Sequence, residues 1–136
     1  MSMNRHQIRK SAFQTLFAQL ANDDADVAEL YTEVLAIDHE NEVPEYLVTL
    51  VEGVNEHREE LNEQIQGLLS SKWTVKRIAK SDLIILQIAL FELQFVDDIP
   101  SAVVINEALE LAESFSDDTS KKFINGVLGS FEKQVD

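Results

Sequence analysis

Hydrophobic and polar positions along this chain fall almost everywhere into a helical period, and one stretch departs from it. Residues 83–95 read LIILQIALFELQF, apolar nearly all round and interrupted only by Gln87, Glu92 and Gln94. A surface helix carries an apolar stripe opposite a polar face, so a segment apolar on every side predicts a helix at the centre of the fold. A buried strand is the competing reading, because Ile84, Ile85 and Ile88 are β-branched. The run exceeds the ~4–8 residues usual for a strand and falls short of the ~20 that cross a bilayer. Ser81 is placed to cap this helix, and Asp82 sets a negative charge at the positive end of its dipole.

The flanking segments are amphipathic. Ile8, Ala12, Leu16 and Leu20 recur every fourth residue, widened by Phe13 and Phe17, and predict a helix over 5–20. A second helix is expected over 25–38 from Val27, Leu30, Tyr31, Val34 and Leu35. Pro44 opens a third, in which Leu47, Val51, Val54, Leu61, Ile65 and Leu68 keep the steps of helix-on-helix packing while Arg58 fills the gap. Gly53 and Gly67 within it, and Gly126 later, predict close approaches of neighbouring helices. Ser70, Ser71, Lys72 and Trp73 mark a boundary, with Trp73 read as a core anchor. After the break at 97–100, Ser101 is placed to cap a helix buried through Val104, Ala108, Leu111 and Phe115, with Glu107, Glu110 and Glu113 on its flank. A loop at 116–120 leads to a last helix carrying Phe123, Ile124, Val127, Leu128 and Phe131. The expectation is an all-α single domain, 1–136.

Charge sharpens this picture. The chain has 25 Asp and Glu against 11 Lys and Arg, a net −14, and the cations are clustered. Arg5, Arg9 and Lys10 precede any acid; Lys72, Lys76, Arg77 and Lys80 form a second group, and Lys121 and Lys122 a third. Arg5 and Arg9 share one side of a helix start, where the dipole does not favour cations, which hints at a use for them. The pattern suits either solvated helix faces or an acidic body for a basic partner, with local patches for an anion. There is no cysteine, so disulfides and thiolate metal sites are excluded. The N-terminus lacks the apolar core of a signal peptide, which predicts a cytoplasmic protein with no membrane segment. No Gly-rich phosphate loop, GxSxG elbow or HExxH motif occurs, and His6, His39 and His57 are scattered. These absences point to a helical binding module rather than an enzyme, with no catalytic residue, metal or cofactor.

The segment DIPSAVVINEALELAESFSDDTSKKFINGVL, 98–128, resembles the C-terminal signature of the NusB family of transcription antitermination factors. RHQIRKSAFQTLF at the N-terminus, the Trp73 segment and SDLIILQIALFEL agree with it in order, so the resemblance covers nearly the whole chain. It implies a compact helical bundle of two three-helix-type subdomains, 1–70 and 71–136, around the central helix. It also implies binding of single-stranded boxA RNA together with the ribosomal protein NusE, within an RNA polymerase antitermination complex acting notably on ribosomal RNA operons. The RNA-binding residues implied are Arg5, His6, Arg9, Lys10, Lys122 and Phe123, the last also readable as a core residue. Asp82, Asp118 and Thr119 are implied on the NusE side. The chain departs from the family pattern at His6, Gln87, Glu113 and Gly129. Two other readings share the fold: the RNA-binding accessory domain of rRNA cytosine methyltransferases, and an oligomeric scaffold, since some family members form homodimers.

Overall fold

A computed structural model describes residues 3–38 and 40–135; His39 lies outside them. Among the described residues there are seven α-helices, one 3₁₀ turn and no strand. The helices are α1 (Arg5–Ala21), α2 (Val27–Leu35), α3 (Glu45–Glu56), α4 (Arg58–Leu68), α5 (Lys80–Phe95), α6 (Ser101–Phe115) and α7 (Asp118–Val135), with the 3₁₀ turn Val75–Arg77 between α4 and α5. None is long and apolar enough to cross a membrane.

Helix α5 is the hub, packing against α1, α3, α4, α6 and α7. Its residues from Ile84 to Glu92 are all buried, as the all-round apolar pattern requires. The three polar interruptions have an unforeseen role, because each reaches a partner on another helix. Gln87 Nε2 donates to Asn62 Oδ1 on α4 at 2.8 Å, and Gln94 and Gln64 exchange bonds of 2.7 and 2.8 Å. Glu92 receives Arg9 of α1 and Tyr46 of α3. Apolar packing gives α5 its place; these polar contacts fix its rotation and register against three neighbours. One continuous core joins both halves of the chain across residue 70.

Several local expectations are corrected. The third predicted helix is two helices, broken at His57, whose backbone (φ −103°, ψ 15°) leaves the helical region. The break costs one residue, so the buried series Val54, Leu61, Ile65 continues across it and hides it in the pattern. Helix α2 ends early because Ala36 adopts a left-handed conformation (φ 54°), with Ile37 N–H donating back to the Thr32 carbonyl at 3.0 Å. Neither Ser81 nor Ser101 caps a helix: α5 starts after Ala79 and α6 after Pro100, without side-chain caps. Side-chain caps do form at Asn4, in a reciprocal capping box with Gln7, at Asp26 on Ala28 N–H at 3.1 Å, and at Asp117 before α7.

Of the three glycines read as close approaches, Gly53 alone is one: a methyl group there would overlap the Phe91 ring. Gly67 and Gly126 have open space where a side chain would go. Trp73 is not a core anchor either, since 47% of its surface is exposed.

Candidate nucleic-acid and partner interface

Asn4 fixes the first turn of α1, and the first two turns carry four of the sequence-predicted residues. They do not share one environment. Arg5 is exposed, its guanidinium 4.2 Å over the Tyr46 ring and 4.0 Å from Asp98. Half-buried His6 places Nδ1 2.8 Å from Glu107 Oε2 of α6. Lys10 is half-buried and enters no ion pair among the described residues. Arg9 points inward and is 3% exposed, with Nε and Nη2 donating to the Glu92 carboxylate at 2.9 Å. Burial alone would lower the Arg9 pKa; the bonds and charge of Glu92, with Tyr46 and Glu107 behind them, reverse this and raise it. Burial and the same carboxylate push the Tyr46 phenol well above its ordinary value. Arg9 is thus a buried brace beneath a surface made by Arg5, His6 and Lys10.

The second group lies at the start of α7. Asp117 accepts from Ser120 N–H at 2.8 Å and opens the helix, leaving Asp118 and Thr119 exposed. Asp82 is 7% exposed; its carboxylate accepts from the Ser120 hydroxyl at 3.0 Å and lies 3.3 Å from that of Ser116. Its position therefore ties α5 to the α6–α7 junction. Lys122 is exposed, Lys121 is 3.6 Å from Glu113, and Phe123 is half-buried at the rim of a cleft.

These groups sit at opposite ends of α5. Arg9 meets Glu92, whereas Ala18, further along α1, lines a hollow with Ser81, so the two helices run antiparallel. The ten steps along the helix from Asp82 to Glu92 span about 15 Å at 1.5 Å each. That hollow, of about 440 Å³ and lined by Phe13, Gln14, Phe17, Ala18, Ser81 and Phe115, lies toward the Asp82 end. Phe13 stacks on Phe115 at 4.3 Å, and Phe17, 5.8 Å from Phe13, is 43% exposed. The sequence assigned Phe17 to the buried stripe; its four-residue spacing from Phe13 is the same whether the outer ring is covered or not. Among the described residues no cluster of His, Cys, Asp and Glu could hold a metal ion.

A model of the NusB family matches residues 6–133. The chain belongs to the NusB family. It is 55% identical to the transcription antitermination protein NusB of Limosilactobacillus reuteri (strain DSM 20016), over 99% of this chain and 97% of that one. It is 56% identical to NusB of Lactiplantibacillus plantarum (strain ATCC BAA-793 / NCIMB 8826 / WCFS1), over 98% and 97%. Among solved structures, T. maritima NusB superposes with a TM-score of 0.86 at 29% identity, covering 98% of this chain and 94% of that one. A crystal structure of the antitermination factors NusB and NusE in complex with double-stranded RNA gives 0.81 at 26% identity, with 96% of both chains covered.

Proposed function

We propose that this NusB-family antitermination factor binds single-stranded boxA-type RNA together with ribosomal protein NusE, and in that form joins an RNA polymerase antitermination complex on ribosomal RNA operons. The observation that carries the reading is the placement of exposed cations at both ends of α5 in a chain of net charge −14, with an open aromatic hollow beside the Ser81 end. Arg5, His6 and Lys10 at one end and Lys122 at the other are placed to meet phosphates, and Phe123 offers a ring to an unpaired base. Arg9 holds the first of these surfaces in position through Glu92. The hollow around Phe17, beside Ser81, offers NusE an apolar anchor, with Asp118 and Thr119 as polar contacts at the α7 start. Asp82 acts there by holding the junction rather than by presenting its charge. A negatively charged body repels RNA at long range, so a partner contributing positive charge raises affinity.

The test is a fluorescence-polarisation titration of boxA-like, scrambled and double-stranded RNA, with and without NusE. The expected order is boxA-like single strand tightest, and only the NusE complex tight at physiological salt. Equal affinity for the scrambled strand, or no gain from NusE, overturns the reading.

A further inference from the structure

The segment between α4 and α5 combines features that the cation clusters above do not account for. Lys72, Lys76, Arg77 and Lys80 are four of the chain's 11 Lys and Arg, and residues 72–81 contain no acid. All four are exposed, and none enters an ion pair among the described residues. Trp73, the chain's single tryptophan, leaves 47% of its surface in solvent, and the Arg77 guanidinium lies 5.5 Å over its ring. The segment is nonetheless held firmly. Gln66 of α4 donates to the Trp73 carbonyl at 3.0 Å and accepts from Val75 N–H at 3.0 Å. Arg77 donates to the Lys72 carbonyl at 3.3 Å, and the 3₁₀ turn follows. An aromatic ring and a cation are therefore held toward solvent by a braced turn.

Trp73 and Arg77 form one wall of a cleft of about 330 Å³, with Phe123 and Thr119 from α7 also lining it. At its base Asp82 is turned onto the Ser120 hydroxyl. Two aromatic rings lining one cleft, with an exposed arginine on its wall and further cations on the same segment, are the combination that recognises an unstacked nucleobase and its phosphates.

We propose that residues 72–80 form a second arm of the RNA site, in which an unpaired base enters the cleft against Trp73 and Phe123 while Lys76 and Arg77 meet the adjoining phosphates. The inference rests on the RNA-binding reading above, and it adds a contact surface that α1 and α7 alone do not supply.

Because Trp73 is the single tryptophan, its emission reports on this cleft directly. NusE is added first, and the boxA-like single strand is then titrated into the preformed complex. Emission should change on RNA addition, with the midpoint seen by polarisation of labelled RNA. Trp73→Ala should weaken RNA binding about 5- to 140-fold, the range of one base–aromatic stack, whereas Trp73→Phe should keep most of the affinity. Lys76→Gln with Arg77→Gln should lower the salt slope of log K by about 1.4, at ~0.7 per single-strand phosphate contact. RNA that binds without altering emission, and equally tightly to Trp73→Ala, overturns the inference and leaves the RNA-binding reading standing. A change completed by NusE alone, with none on adding RNA, assigns the cleft to the protein partner and overturns it too. Wild-type complex that binds no RNA removes both. Should Trp73→Ala fail to fold, the wild-type emission titration decides.

Discussion

Replacing Arg9 by methionine separates a buried brace from a phosphate contact. The side chains of Arg9 and Glu92 are 4% and 1% exposed, joined by two N–H donors on one carboxylate, with Tyr46 on the same group. Methionine keeps an unbranched stem in the space but leaves the Glu92 carboxylate buried with one donor. Breaking such a pair by removing one partner costs about 3–5 kcal/mol. Against the ~5–15 kcal/mol that stabilises a domain, this is a large fraction, and it corresponds to a fall in Tm of roughly 10–20 °C. Arg9→Met with Glu92→Leu removes both charges and should recover most of the loss, short of about 1–3 kcal/mol for the abandoned Tyr46 hydroxyl. Urea denaturation followed by far-UV circular dichroism at pH 7 measures all three proteins. RNA titrations at several salt concentrations, on the NusE complex, should show an unchanged slope for Arg9→Met. A variant that loses under 1 kcal/mol of stability and instead lowers the salt slope by about 0.7 would put the guanidinium on the RNA and refute the brace.

Other substitutions test the packing. Gly53→Ala should destabilise by about 1–3 kcal/mol through overlap with Phe91, and Phe91→Leu should relieve the penalty; Gly67→Ala, in open space, should stabilise by roughly 0.5–1 kcal/mol, both read from urea midpoints. Leu86→Ala, in a fully buried position of α5, should cost about 2–5 kcal/mol by the same measurement. Among the described residues the buried Tyr31 hydroxyl has no hydrogen-bond partner, so Tyr31→Phe should stabilise by about 1–3 kcal/mol. Burial, with Glu52 adding to it, pushes the Tyr31 phenol up to about 12. The neutral form is favoured in the fold, so its contribution is present below pH ~10 and is lost as pH rises toward 12, at about 1.4 kcal/mol per unit. Denaturation at pH 9 and pH 11 should show this loss in wild type and a smaller one in Tyr31→Phe.

Helix content and the central place of α5 were legible because burial on all sides leaves a pattern no surface helix shares. What the chain concealed were features with the same spacing under two outcomes. A one-residue break at His57 preserves the apolar series, so α3 and α4 read as one helix. Serine before a helix is compatible with a cap, yet at Ser81 and Ser101 the chain enters the helix one or two residues earlier. Arg5 and Arg9 look equivalent at four-residue spacing, but Arg9 finds Glu92, 83 positions away. Trp73 and Phe17 were assigned inward because large apolar residues usually are, and their exposure depends on which helices arrive beside them. The positions of the cation clusters were readable from the start; which members face water was decided by long-range pairing.

The antiparallel course of α1 and α5 makes the central helix a ruler. If RNA binds as proposed above, with contact groups at either end of α5, the strand would engage this protein as a bivalent ligand does, with the helix setting the span. A strand too short to reach from the α1 start to the α7 start holds one end only and dissociates after a single contact is lost. For a strand long enough, the second contact would form at high effective concentration, and affinity would rise in a step rather than in proportion to length. A helix whose burial first identified it as the core of the fold would then also set the shortest message the protein can hold.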